Sequence, residues 1–271
     1  MLFFQKYQPA QFNGIELFLC QKFNYKVMKQ YHEKYTAEDV AIWNLLFSRQ
    51  FENLKNKAST DYLEALEKMN PVLNAQEIPD FTKINQWFEH ETGWQIECVP
   101  GLIPVEDFFE LLSKKKFCSS NWLRSIENLD YLEEPDMFHD IFGHVPLLCN
   151  PVFSEFMQEF GKLGVQMKDD SVRLIQLQRL YWFTIEFGLI DENGAKVYGA
   201  GIASSFGETN LLTGNTVEVS PFDLETILNK PFETDHVQNH YFVINSYKQL
   251  FEAILSLKKE WINENTIVLD V

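Results

Sequence analysis

The segment from residue 134 to 148 constrains this chain more than any other, because it places two histidines inside an apolar run. His139 and His144 stand five residues apart among phenylalanine, isoleucine and proline neighbours. Downstream, Glu186 lies in residues 181–188, where most neighbours are aromatic or aliphatic. A lone carboxylate buried in such surroundings costs roughly 3–5 kcal/mol unless a positive charge compensates it.

A divalent metal ion bound by His139, His144 and Glu186 supplies that charge. Two neutral imidazoles and one carboxylate form the set that leaves open positions on a non-haem Fe(II) ion. On a regular α-helix, residues five apart point about 140° away from each other. The two histidines therefore face one ion only if the helix is interrupted or carries a one-residue π-bulge. Gly143 and the nearby Pro146 favour such an irregular helix end.

Other readings of the histidines are weaker. A histidine pair alone is more often part of a core, and a zinc peptidase of the His-Glu-x-x-His kind needs a spacing of four residues. Asp140 is also one methylene shorter than the glutamate that serves as general base in that motif. His236 and His240 have the helical spacing, but their polar neighbours indicate a surface position. His32 and His90 lie in charged surroundings and are interpreted as solvated.

The composition limits the partners and the compartment. The 271 residues contain 23 Lys and Arg against 39 Asp and Glu, a formal net charge of −16. Such a charge argues against binding to nucleic acid or to an anionic membrane surface. No signal peptide and no apolar stretch long enough to span a bilayer is present. The four cysteines form no C-x-x-C motif, which is typical of reduced thiols and predicts a cytoplasmic protein.

The apolar periodicity predicts a mostly α (α+β) fold in which helices are accompanied by a few short strands. Thr36 is the expected N-cap of a long helix, and Ser246 that of the final helix. The glycine-rich residues 199–207 are expected to form a loop. No linker or low-complexity tract divides the sequence, so we expect a single domain over residues 1–271. Short strands are expected at residues 95–99, 196–198 and 241–244.

Several side chains have the chemistry to bind a small organic substrate. Arg124 offers a planar fork for a carboxylate, and a surface salt bridge is an equally good interpretation. Trp182 shares a helix face with Glu186, four residues later, so it is either a substrate wall or core packing. Ser204 and Ser205 offer hydroxyls for an amine or a carboxylate, and turn formation is the alternative.

Three motifs, in this order, resemble those of the pterin-dependent aromatic amino acid hydroxylases. The resemblance extends well over roughly residues 95–250 and loosely over the rest, and it implies the catalytic-domain fold of that family around an iron-containing cleft. It also implies hydroxylation of L-phenylalanine to L-tyrosine with O2 and tetrahydrobiopterin, or another tetrahydropterin, at a mononuclear Fe(II) site. The motifs are Glu134-Pro135-Asp136 with His139 and Gly143-His144-Val145-Pro146-Leu147, then Tyr181 to Leu189, then Tyr198 to Glu208.

The resemblance assigns roles to individual residues. It implies His139, His144 and Glu186 as iron ligands and no further catalytic residue. For the substrate it implies Arg124 and Ser204 at the amino-acid end, and Tyr131, Trp182 and Ser205 around the aromatic ring. For the pterin it implies Phe108 as the stacking ring, with Gly101, Ile103, Val105 and Asp140 nearby. Asp140 stands where the animal members carry Glu, and Leu132-Glu133 stands where they carry Thr-Pro.

Some alternatives stay open at this point. Tyrosine or tryptophan hydroxylation uses the same motifs. The histidine spacing disfavours a zinc-dependent hydrolase, and the full ligand set disfavours a non-catalytic binding protein. No regulatory domain of the animal type and no C-terminal tetramerisation helix are expected, so a monomer or a small homo-oligomer is predicted.

Overall fold

The described part of the chain is mostly helical with a few short strands, which confirms the predicted fold class. The structure, a computed structural model, describes residues 28–130, 132, 134–212, 217–232 and 238–268, with the backbone alone for 263–268. The helices are α1 Ala37–Leu54, α2 Thr60–Met69, α3 Phe81–Glu89, α4 Val105–Ser113, α5 Pro151–Gln166, α6 Ser171–Tyr181, α7 Ala200–Ala203, α8 Phe206–Leu211, α9 Leu224–Asn229 and α10 Tyr247–Val268. The strands are β1 Gln95–Cys98, β2 Lys116–Ser119, β3 Gly188–Asp191, β4 Ala195–Val197, β5 Glu218–Pro221 and β6 His240–Ile244.

Helix α1 begins where the sequence predicts. The Thr36 hydroxyl accepts a hydrogen bond from the backbone N–H of Asp39 at 3.2 Å, and the Asp39 carboxylate accepts from the backbone N–H of Thr36 at 2.7 Å. This reciprocal capping box satisfies two N–H groups that the first turn leaves without partners. The apolar face of the helix then buries Trp43 and Leu46.

Two small sheets anchor the segments that carry the candidate ligands. In the four-stranded sheet the order is β4-β3-β6-β5, and only the β3–β4 pair is antiparallel. Because β3 starts two residues after Glu186, the pairing of Gly188 with Phe242 fixes the end of the segment that carries this carboxylate. Strands β1 and β2 form a separate parallel pair, and β2 ends next to Ser120.

The glycine-rich residues 199–207 are not a loop as predicted. They form α7 and the beginning of α8. A Cβ atom at Gly199 would lie 2.5 Å from the carbonyl oxygen of Glu186, and one at Gly201 would lie 3.1 Å from the same atom. The glycines therefore allow a helix to approach the backbone of a neighbouring segment closely, a role that the local sequence does not distinguish from turn formation.

Helices α4 and α5 pack closely, and α10 packs on α5. A Cβ atom at Gly161 of α5 would lie 2.4 Å from the backbone nitrogen of Ser113. One at Gly164 would lie 2.1 Å from the ring of Phe109. Among the described residues, no helix has both the length and the apolar character needed to cross a membrane.

We therefore expect Gly161→Ala to destabilise the fold by about 1–3 kcal/mol, because the added methyl meets backbone atoms that cannot move aside. The midpoint of urea unfolding should fall while the m-value stays constant. Gly207→Ala is the matched control, since a Cβ atom there meets nothing within 4 Å. Equal midpoints for the two variants would contradict the close helix contact.

Candidate metal centre and substrate cavity

A π-helix from Phe138 to His144 carries both histidines of the candidate site. The spacing of five residues matches the i→i+5 repeat of a π-helix, so both imidazoles lie on one face. Their Nε2 atoms are 3.1 Å apart. The Tyr62 hydroxyl donates to the carbonyl oxygen of Phe142 at 2.5 Å and thereby ties this segment to α2. The segment thus has the interruption of the α-helix that the sequence predicts.

Glu186 comes from a second π-helical turn, Trp182–Glu186, which ends α6. The backbone N–H of Phe187 donates to the carbonyl oxygen of Trp182 at 2.9 Å, the bond that closes this wide turn. Glu186 Oε1 lies 3.1 Å from the Nε2 atom of His144, and Oε2 lies 3.6 Å from the Nε2 atom of His139. All three side chains are buried.

Ser204 fixes which nitrogen of His139 faces the other two ligands. The Ser204 hydroxyl donates to the carbonyl oxygen of Ala200 at 2.8 Å, so its oxygen is left to accept from the Nδ1–H of His139 at 2.9 Å. His139 therefore carries its proton on Nδ1 and presents the Nε2 lone pair to the cluster. Such outer hydrogen bonds set the tautomer and orientation of metal-binding histidines.

The charges of the cluster suit a divalent cation. Burial lowers the pKa of His139 well below its usual range, so its imidazole is neutral near pH 7. Burial would raise the pKa of Glu186, but the adjacent His144 outweighs it and lowers the pKa to about 2. The result is a buried, ionised carboxylate beside a neutral imidazole.

The donor atoms also have the separations that a shared ion requires. Three ligand atoms at right angles and about 2.1 Å from one ion lie about 3.0 Å apart. Among the described residues, Glu186 Oε2 is buried and has no hydrogen-bond partner. A metal ion would satisfy this oxygen and the two imidazole lone pairs together, so His139, His144 and Glu186 fit a metal of the Fe(II) class.

Helix α7 fits between the two π-helical turns because its neighbours are small. A Cβ atom at Gly143 would lie 2.9 Å from the carbonyl oxygen of Ala200, and one at Gly201 would lie 3.2 Å from Glu186 Oε2. This close approach brings Ser204, at the end of α7, within hydrogen-bonding distance of His139.

Arg124 is buried rather than on the surface. Its Nε–H and one Nη2–H donate to the two oxygens of Asp136, at 2.9 and 2.8 Å, and its Nη1 donates to the carbonyl oxygen of Leu129 at 3.2 Å. A guanidinium has five N–H groups, so one N–H remains on each Nη atom. Asp136 also accepts the backbone N–H of His139 at 3.1 Å, which links the arginine to the histidine segment.

A cavity of about 210 Å³ opens beside these groups. Among the predicted substrate residues, Arg124, Ser204 and Ser205 line it, together with the ligands His139 and Glu186. Its other described lining residues are Leu129, Asp130, Leu132, Glu134, Pro135, Phe187, Gly201, Phe206, Gly207, Glu208 and Leu211.

Trp182 does not appear in this lining. The Trp182 ring is buried behind the cavity wall. Its centre lies 4.7 Å from the centre of the Phe187 ring and 4.6 Å from that of the Phe232 ring, on which it stacks. Its indole N–H donates to Gln238 at 3.1 Å. Trp182 therefore supports the cavity wall through Phe187 instead of forming the wall. Tyr131 lies outside the described residues.

The predicted pterin residues are not among those that line this cavity. Phe108 is buried with its ring edge-on to Tyr181 at 5.4 Å, and the Tyr181 ring lies 6.1 Å from that of His144. Ile103 and Val105 are buried near the start of α4, and Gly101 has a φ of +155° with open space at its Cβ position.

Asp140 projects to this same region. Its Oδ2 atom accepts the backbone N–H of Ser120 at 2.9 Å, while Oδ1 has no hydrogen-bond partner among the described residues. Burial raises the pKa of Asp140 to about 8. This buried polar group, with an oxygen that has no partner among the described residues, fits a ligand that offers a complementary polar group.

His240, the described member of the second histidine pair, takes no part in the site. His240 lies on β6, where its Nε2 atom is 2.9 Å from the Ser220 hydroxyl. His236 lies outside the described residues. Within the part of the chain that the structure describes, the one group of metal-binding side chains found is His139, His144 and Glu186.

Two contributors to the site were missed from the sequence. Asp136 lies within the first motif, which does not indicate its role, although it holds both Arg124 and the backbone of His139. Glu208 also stood in a motif and lines the cavity. The apolar neighbours of Asp136 resemble those of Glu186, and this was the available signal.

Comparison with known proteins agrees with this geometry. Residues 14–268 match the sequence model of the family described as biopterin-dependent aromatic amino acid hydroxylase. The phenylalanine-4-hydroxylase of Chromobacterium violaceum is 47% identical over 223 residues, which cover 82% of this chain and 74% of the relative. That of Ralstonia nicotianae is 43% identical over 228 residues, covering 83% and 72%.

The fold is shared as well. A crystal structure of the Chromobacterium violaceum enzyme with bound iron(III) and the oxidised cofactor 7,8-dihydrobiopterin is similar with a TM-score of 0.81 and 44% identity. The similarity covers 88% of this chain and 86% of that one. The chain belongs to the biopterin-dependent aromatic amino acid hydroxylases.

We expect Ser204→Ala to weaken Fe(II) binding by roughly 10- to 100-fold, because His139 loses the acceptor that fixes its tautomer. Titration of the metal-free protein with Fe(II) under anaerobic conditions measures this change. Ser205→Ala is the control, because its hydroxyl caps α8 at the N–H of Glu208 and does not contact His139. Equal iron affinities for Ser204→Ala and the unmodified protein would contradict the role of Ser204.

Proposed function

We propose that this protein hydroxylates L-phenylalanine to L-tyrosine, using O2 and a tetrahydropterin at a mononuclear non-haem Fe(II) site. The observation that carries the proposal is the buried cluster of His139, His144 and Glu186 at a cavity that also contains Arg124. An amino acid held by Arg124 would place its side chain toward the metal. The names of the relatives, phenylalanine-4-hydroxylases, support this choice among aromatic amino acids.

The metal ligands would be His139, His144 and Glu186. A bound iron ion together with a reduced pterin supplies the activation of O2, for which side chains have no equivalent. The ligand set occupies one face and leaves other positions open. The buried polar group of Asp140 and the ring of Phe108 do not line the substrate cavity, and we place the pterin beside them.

Arg124 would bind the substrate carboxylate. The inner edge of its guanidinium is held by Asp136, and we infer that the two remaining N–H groups, one on each Nη atom, form the outer edge. Two parallel N–H groups match the two oxygens of a carboxylate. Asp136 is fully buried and keeps the guanidinium in one orientation.

The remaining walls would orient the substrate ring and exclude water. Leu129, Pro135 and Phe187 present apolar surface beside the ligands. Trp182 and Phe232 back the ring of Phe187 and hold it in place. Correct placement of reactants and exclusion of water are what the protein contributes when cofactors carry the chemistry.

The compartment and the assembly are predictions. Cys98, Cys118 and Cys149 are free thiols in the described residues, and burial raises the pKa of Cys98 to about 11. Unpaired, unreactive thiols support a reducing compartment such as the cytoplasm. A monomer or a small homo-oligomer stays the expected assembly.

A coupled assay tests the proposed reaction. Iron-loaded protein with tetrahydrobiopterin and O2 should form tyrosine from phenylalanine, with one tyrosine for each pterin oxidised when the reaction is coupled. Tyrosine and tryptophan, offered separately, should be hydroxylated more slowly. The absence of tyrosine with full iron loading, or faster hydroxylation of either competitor, would contradict the proposal.

Arg124→Lys should raise the KM for phenylalanine roughly 10- to 100-fold, because a point charge replaces a bidentate fork. The KM for the pterin should change far less. Arg49→Lys is the matched control, because Arg49 pairs at 2.7 Å with Asp130, whose side chain is 74% exposed. Equal increases in both KM values for Arg124→Lys would contradict the assigned role.

A further inference from the structure

The cavity contains more negative charge than the metal site uses. Its described lining includes four carboxylates, Asp130, Glu134, Glu186 and Glu208. Glu186 belongs to the metal cluster, Asp130 pairs with Arg49, and Glu134 is exposed to solvent. Glu208 is the remaining carboxylate, and it differs from Asp130 and Glu134 because burial removes much of its solvation and raises its pKa.

The contacts of Glu208 come from neutral donors. The Tyr241 hydroxyl donates to Glu208 Oε2 at 2.7 Å, and the backbone N–H of Gln238 also donates to this carboxylate. Within the described part of the chain, no lysine, arginine or histidine forms an ion pair with Glu208. A partly dehydrated carboxylate without a cationic partner is costly, and a cation in the adjacent cavity would compensate it.

An amino-acid substrate supplies that cation. Its carboxylate would occupy the outer edge of Arg124, which leaves the α-ammonium group without a counter-charge. We propose that Glu208 binds the α-ammonium group of the substrate, so that Arg124 and Glu208 together recognise a zwitterion. This inference rests on the proposed function and adds a specificity-determining residue to it.

The neighbouring hydroxyls are less suited to this role. The Ser204 hydroxyl donates to Ala200 and accepts from His139, and the Ser205 hydroxyl accepts the backbone N–H of Glu208 at 3.2 Å. Neither hydroxyl carries the negative charge that would act as counter-charge for an ammonium group. Tyr241 and Gln238 donate hydrogen bonds to the Glu208 carboxylate and hold it in one orientation.

The experiment compares two ligands that differ in the ammonium group. Iron(II)-loaded protein under anaerobic conditions is titrated calorimetrically with L-phenylalanine and with 3-phenylpropanoate, which keeps the carboxylate and the ring. The unmodified protein should bind L-phenylalanine more tightly. In Glu208→Gln, which is nearly isosteric, this preference should shrink roughly 10- to 100-fold, because a charge-assisted hydrogen bond is lost. The affinity for 3-phenylpropanoate and the iron content should change little.

Two controls separate ammonium binding from a structural effect. Asp130→Asn removes a cavity carboxylate that is already paired and should leave the ligand preference unchanged. Tyr241→Phe removes a hydrogen bond to Glu208 but keeps its charge, so most of the preference should persist. If Glu208→Gln weakens both ligands equally, Glu208 only shapes the cavity and the proposal is wrong.

The outcome does not depend on one variant folding well. Glu208→Asp keeps the charge on a shorter side chain and should retain a measurable part of the preference for L-phenylalanine. An unmodified protein that binds both ligands equally would overturn the role of Glu208 without any variant. Binding of neither ligand to the iron-loaded protein would instead contradict the proposed function itself.

Discussion

The burial of an ionised carboxylate between two imidazoles is the interaction on which the rest of the site depends. Glu186, His139 and His144 lie in the core, where an uncompensated charge costs several kcal/mol, of order 3–5. Their donor atoms nevertheless lie 3.1–3.6 Å from one another. A shared divalent ion removes this conflict, because it replaces lost solvation with direct bonds to all three groups.

This requirement explains the irregular helices. Two histidines five residues apart converge only on a π-helical turn, and Glu186 is also at the end of one. Such widened turns are rare and occur mainly at functional sites. Here they are stabilised from outside the helices, by the hydroxyl of Tyr62 on one carbonyl and by the pairing of β3 with β6.

The proposed substrate and metal sites are joined by one buried side chain. Asp136 orients Arg124 through two hydrogen bonds and holds the backbone of His139 through a third. A displacement of this carboxylate would therefore change the geometry of both the cavity and the ligand set. The cavity lining also contains side chains of both charges, since Arg124 and Glu208 both line it.

Local patterns sufficed to predict much of this structure. The apolar periodicity predicts α1 and α10, and the capping residue Thr36 predicts where α1 begins. The five-residue spacing of His139 and His144 predicts an interruption of the α-helix. Family resemblance then supplied the expected fold, which the structure confirms.

Contacts between distant residues could not be predicted in the same way. The bond between His139 and Ser204 joins positions 65 residues apart and depends on how closely α7 approaches. In the local sequence, the glycines that permit this approach predict a loop. The position of Trp182 behind Phe187 likewise depends on Phe232, which comes from a different part of the chain.

X-ray diffraction from crystals of the iron-loaded protein, collected on both sides of the iron absorption edge, is the most direct test of the metal site. One anomalous peak per chain should lie within bonding distance of His139 Nε2, His144 Nε2 and a carboxylate oxygen of Glu186. A protein that binds iron stoichiometrically with no peak between these three groups would contradict the assignment.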